Sequence, residues 1–105
     1  MYATVRRYEG TDQTELGELT SRIETSLIPR LSELPGFGGY YLIDAGEGVI
    51  TSVGLFDTAG QAHESTRVAA RWIREESLEV AFPNSPTVMA GEVIAQRLTA
   101  LQQPG

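Results

Sequence analysis

Residues Pro35 to Phe56 read PGFGGYYLIDAGEGVITSVGLF, and this stretch constrains the fold more than any other. Two runs rich in β-branched and aromatic residues, Phe37–Ala45 and Val49–Asp57, flank Gly46-Glu47-Gly48. Strand formers joined through glycines that accept positive φ predict a β-hairpin. Tyr40 and Tyr41 are adjacent, so the two-residue period sends one ring to each face of the sheet. Both faces therefore need cover. Helices of the same chain can supply one side only.

The flanking segments supply those helices. Tyr2–Tyr8 (YATVRRY) reads as a first strand, with Ala3 and Val5 on one face and Tyr2, Thr4, Arg6 and Tyr8 on the other. After Glu9-Gly10, Asp12 or Thr14 can cap a helix over residues 13–34. Its apolar stripe is Leu16, Leu19, Ile23, Leu27, Leu31 and Leu34. Pro29 falls inside that stripe and predicts a kink or an early end, since it removes a backbone donor and crowds the preceding turn. Pro35-Gly36 stops the helix. Asp57 or Thr58 caps a second helix to about Val80, with Ala59, Ala62, Thr66, Ala69, Ala70 and Ile73 as its buried stripe. Thr87–Leu98 reads as the last strand, with a bend or bulge at Gly91, and 99–105 as a loose tail after a domain spanning 1–98.

The order β-α-β-β-α-β interleaves most simply as a four-stranded antiparallel sheet with both helices on one face, an α+β, ferredoxin-like arrangement. The other face, carrying one of the two tyrosines and one of Val49 and Ile50, is too apolar for water. Pairing two such faces predicts a homodimer.

Composition excludes much chemistry. There is no cysteine, which removes disulfides, thiolate metal sites and a cysteine nucleophile. All eight basic residues are arginines, so no Schiff base can form on a lysine. His63 is the lone histidine, which rules out a multi-histidine metal site within one chain. A net charge of −6 without a basic run speaks against nucleic acid and anionic membranes as partners. The opening MYATVRRYEG has no signal-peptide pattern, and a cytoplasmic location is the expectation. Gly36, Gly38 and Gly39 follow a helix and open a strand, the reverse of a phosphate-binding loop.

Taken together, YATVRRYEG, PGFGGYYLID, GEGVITSVGLFD, ESTRVAARWIRE and GEVIAQR resemble the small antibiotic biosynthesis monooxygenase-like (ABM-like) proteins of the dimeric α+β barrel superfamily. The resemblance spans residues 2–97. It implies a dimer whose two sheets close into a barrel, a cavity between helices and sheet in each subunit, and no cofactor. It also implies a small hydroxylated aromatic ligand of polyketide type, handled either by cofactor-independent oxygenation or by a non-catalytic binding dimer of the same fold. The haem-degrading branch uses a histidine that follows a helix tryptophan. Here His63 precedes Trp72 by nine residues, about half a turn around the helix, which speaks against haem.

The candidate catalytic residues are Arg6 as oxyanion partner, Trp72 as pocket wall and Tyr41 as proton donor, with Tyr8, Tyr40, Ser52, Phe56 and His63 as substrate contacts. Which of Tyr40 and Tyr41 faces the cavity depends on strand register. Trp72 is placed about 110° from the centre of the stripe by helical geometry, on the flank with Ser65, Val68 and Ala69. The plain structural alternative for Arg6 is an ion pair with Glu92 or Asp44.

Overall fold

The computed structural model describes residues 1–98. Strands β1 (Tyr2–Tyr8), β2 (Phe37–Gly46), β3 (Val49–Phe56) and β4 (Thr87–Glu92) form one antiparallel sheet in the order β2-β3-β1-β4. A 3₁₀ turn (Gln13–Glu15), helix α1 (Leu16–Arg22), a π-helical turn (Ile23–Leu27) and α2 (Ile28–Ser32) follow one another without a break and lie on one face. Helix α3 (Ala59–Glu75) lies beside them. This is the ferredoxin-like arrangement. The expected tail over 99–105 falls outside the described residues.

The hairpin closes through Glu47 and Gly48, both at positive φ (56° and 79°), as a type I′ turn requires. Gly48 has a second reason to be glycine. A Cβ there would sit 2.8 Å from the Thr11 carbonyl oxygen, and the Thr11 N–H donates to the Gly48 carbonyl at 3.0 Å. Two cap side chains settle the alternatives left by the sequence. Asp12 Oδ1 accepts from the Thr14 N–H at 2.9 Å, and Thr58 forms a reciprocal capping box with Gln61.

The irregularity expected at Pro29, a kink or an early end, takes the form of a π turn just before it and a short α2 that contains it, and the apolar spacing explains how. Leu19, Ile23, Leu27 and Leu31 recur at three successive steps of four and are all buried. An α-helix advances 3.6 residues per turn, so such a stripe drifts by about 120° over three steps, roughly one residue's rotation. The π turn at Ile23–Leu27 absorbs that excess, with the Ile28 N–H donating to the Ile23 carbonyl. Pro29 then sits in the first turn of α2, where its missing donor is tolerated.

Three other expectations are corrected. Helix α3 ends at Glu75, not near Val80, because Ser77 at φ 56° turns the chain and the Leu78 N–H bonds to the Ile73 carbonyl. Strand β4 ends at Glu92, not Leu98, where its neighbour β1 begins, and Gly91 pairs with Ala3 in unbroken register without a bulge. The buried stripe of α3 is Ala62, Ser65, Ala69 and Trp72, while Ala70 is exposed. The alanines pulled the predicted stripe round the helix; burial of the largest side chain decides the actual rotation.

Candidate functional site

Alternation along the strands decides which side chains face the helices. β1 directs Thr4, Arg6 and Tyr8 inward, and β3 directs Ile50, Ser52 and Phe56 inward. Arg6 lies directly opposite Ser52 in the β1–β3 pairing, and Ser52 opposite Leu42 in the β2–β3 pairing. In β2 the inward residues are Tyr40, Leu42 and Asp44, since their partners are Gly54, Ser52 and Ile50.

Arg6 is 2% exposed, one of the largest fully buried side chains in the molecule. Its Nη1 donates to Thr66 Oγ1 on α3 at 3.3 Å, and Thr4 Oγ1 lies 3.4 Å from the same oxygen. Its Nε has no partner, nor has the Ser52 hydroxyl. The ion pairs among the described residues are Arg7–Glu9, Arg22–Glu76, Arg30–Glu75 and Arg67–Glu64. None involves Arg6. Asp44 instead accepts from the Gly46 N–H, and Glu92 is exposed opposite Tyr2. A guanidinium cannot shed its proton to escape burial, and an uncompensated buried charge costs several kcal/mol.

Tyr8 packs its ring on Phe82 at 4.7 Å between centroids and places its hydroxyl beside Arg6. Burial pushes this phenol above the ordinary tyrosine range, Arg6 pulls it partly back, and Tyr40 adds to the rise. Tyr8 thus keeps its proton near neutral pH and does not supply the missing negative charge. Trp72 is fully buried, and its indole N–H donates to Ser26 Oγ at 2.8 Å, on the π turn. Ser26 escaped the sequence reading, and Thr66 entered it only as part of a buried stripe, because their partners lie 46 and 60 residues away in the chain.

The residues brought together are therefore Arg6, Tyr8, Tyr40, Ser52 and Trp72. They line a void of about 10 Å³, room for about one water-sized group. Ile23, Tyr40, Leu42 and Ile50 also line a second space of about 450 Å³, bounded further by Leu16, Thr20, Glu24, Ile28 and Asp44. That groove has the volume of a small-molecule site, and these four side chains separate it from the inner chamber. Among the described residues no cluster of His, Cys, Asp or Glu is arranged to hold a metal ion.

Three candidates stand elsewhere. Tyr41 is 57% exposed on the opposite face of the sheet, because its partner is Val53 and not an inward residue. His63 is exposed on α3, on the side away from Trp72. Phe56 is buried but packs edge-on against Phe37 at 5.7 Å and does not line the chamber.

Solved structures share this architecture. The fold is ABM-like. A monooxygenase from Streptomyces coelicolor, solved in complex with nanaomycin D, matches with a TM-score of 0.70 over 94% of this chain and 92% of its own, at 12% identity. A protein of Bordetella bronchiseptica provisionally named an antibiotic biosynthesis monooxygenase matches at 0.69, over 90% and 97% of the two chains, at 14% identity. A dimeric ferredoxin-like protein from an uncultured marine organism matches at 0.63, over 93% and 98%, at 13% identity. No family model and no curated protein sequence matches this chain. At these identities the likeness establishes the fold, and chemistry has to be argued from the side chains.

Proposed function

We propose that the protein is a homodimeric, cofactor-independent monooxygenase acting on a small hydroxylated aromatic. The observation that carries this reading is the buried, uncompensated Arg6 guanidinium next to a groove of ligand size. The aromatic body lies among Leu16, Ile23, Ile28, Leu42 and Ile50, and its ionised oxygen displaces the partition to reach Arg6. Arginine holds the phenolate. The substrate carbanion conjugated to it then reacts with dioxygen. For an activated methylene, R₂CH₂ + O₂ gives R₂C=O + H₂O, so the substrate supplies every electron and no external reductant enters. Tyr40, half-buried at the partition, takes the proton-donor role, and Tyr8 supplies a neutral hydrogen-bond donor. The nanaomycin D complex of the Streptomyces structure supports an aromatic polyketide-like ligand.

The dimer follows from the open face of the sheet. Ala3, Val5, Tyr41, Ile43, Val53, Leu55 and Met89 all point away from the helices, and Met89 is 66% exposed. Two copies stacked on this face bury both, in keeping with the dimeric ferredoxin-like neighbour.

The small inner void favours a second reading, a dimer that binds its ligand in the outer groove without turning it over. Oxygen uptake measured with a panel of phenols, quinols and anthrone-like compounds, beside thermal unfolding with the same panel, separates the two. Stabilisation with oxygen uptake supports the monooxygenase. Stabilisation without uptake by any stabilising compound assigns the protein to the binding class.

A further inference from the structure

The arginine chamber has room for about one water-sized group, and both of its unpartnered polar groups, Arg6 Nε and the Ser52 hydroxyl, can donate a hydrogen bond. Arg6 and Ser52 are each 2% exposed and stand opposite one another in the β1–β3 pairing, and neither Arg6 Nε nor the Ser52 hydroxyl has a hydrogen-bond partner among the described residues. Among the described residues the guanidinium meets only neutral hydroxyls: it donates to Thr66 Oγ1 at 3.3 Å and has the Tyr8 phenol beside it. Every other ionisable group lining the chamber is a tyrosine. A buried cation among neutral hydroxyls, with no carboxylate lining the chamber, is short of one negative charge.

We infer that this chamber is a monovalent-anion site that takes a halide-sized ion when the groove is empty. The size follows from the void of about 10 Å³, which admits a single water-sized group. The charge follows from Arg6, and the donor set from Arg6 Nε and Ser52 Oγ. Oxyanions such as sulfate or phosphate are too large for it. The site shares Arg6 with the monooxygenase reading and rests on that reading only for what displaces the ion: the ligand's phenolate oxygen takes the anion's place, so halide and ligand compete.

The test compares chloride, bromide and gluconate at one ionic strength. Thermal unfolding should show a saturable rise with chloride or bromide over gluconate, roughly 5–10 °C at a tenfold excess over the dissociation constant. Crystals grown in bromide should give an anomalous peak within hydrogen-bond distance of Arg6 Nε and Ser52 Oγ. Arg6→Met should abolish the halide effect. Ser52→Ala, which removes one donor and keeps the fold, should weaken halide affinity several-fold. Equal unfolding temperatures in all three salts, or a chamber without an anomalous peak, would overturn the inference. An aromatic ligand that binds while halides do nothing removes the anion site and leaves the monooxygenase reading standing. A halide effect with no aromatic binding does the reverse.

Discussion

The two faces of the sheet each carry residues that belong on the other: a polar group sits within the apolar core of one, and an apolar group lies open on the other. Facing the helices, among the apolar side chains of Tyr8, Ile50 and Phe56, lie Thr4, Arg6 and Ser52, all fully buried. Facing away, where water belongs, lie Ala3, Val5, Tyr41, Ile43, Val53, Leu55 and Met89. Each exchange is costly unless something else is present. Polar groups inside call for a ligand or ion, and apolar groups outside call for a second protein surface. One face is thus read as a site and the other as an interface, although they are built from alternate residues of the same strands.

Charges introduced on the outer face break this contrast most severely. Val53→Asp places a carboxylate at the centre of the open face, between Val5 and Tyr41. An uncompensated charge buried in an interface costs about 3–5 kcal/mol, and two-fold symmetry counts it twice. Sedimentation should therefore find monomers where the wild type is dimeric; an unchanged dimer would place the interface elsewhere.

On the inner face the largest loss is Trp72→Ala, about 3–5 kcal/mol of stability in denaturant titration, since the indole is fully buried. The opposite sign is expected at Arg6. Replacing a buried ion by a methionine of similar volume should leave stability unchanged or raise it by about 1–4 kcal/mol, while ligand stabilisation disappears. A variant that is both destabilised and ligand-competent would mean that Arg6 is structural. Ser26→Ala should cost about 1–3 kcal/mol by stranding the Trp72 N–H, and Ser26→Thr should recover much of it.

The smallest effect is alkaline. Tyr8 has its folded-state pKa raised, chiefly by burial, so its contribution to stability is complete below the ordinary tyrosine pKa and is lost as pH rises through the folded value. Unfolding free energy should fall above about pH 10, and Tyr8→Phe should flatten that limb. A wild-type profile that Tyr8→Phe leaves unchanged would show that this phenol titrates alike in the folded and unfolded chains.

Much of the fold was legible because it rests on local rules. Strand alternation, the glycine-bounded hairpin and the cap residues fixed the element order and, through it, the sheet. The grouping of Arg6, Tyr8 and Ser52 was legible for the same reason, since residues of even separation on paired strands share a face. The side taken by the Tyr40–Tyr41 pair was not. It turns on register, and the register shifts between Phe37 and Gly39 and between Asp44 and Gly46 bracket the segment that sends Tyr40 inward. Trp72 was misjudged because a stripe centred on alanines carries little burial energy, and one indole outweighs it. The π turn was legible in principle, since three steps of four in the apolar stripe already exceed what an α-helix can keep in line.

That surplus residue has a consequence for how the chain can change length. A helix in phase on both sides of a π turn holds one residue more than an α-helix over the same span would need. Removing exposed Glu24 or Thr25 would convert the wide turn to an α turn and leave Leu19 and Leu31 on the same side of the helix. A deletion elsewhere in Leu16–Ser32 would swing everything beyond it by about 100°. The first helix thus contains one place where the sequence can shorten without losing its core, and that place borders the ligand groove through Ile23.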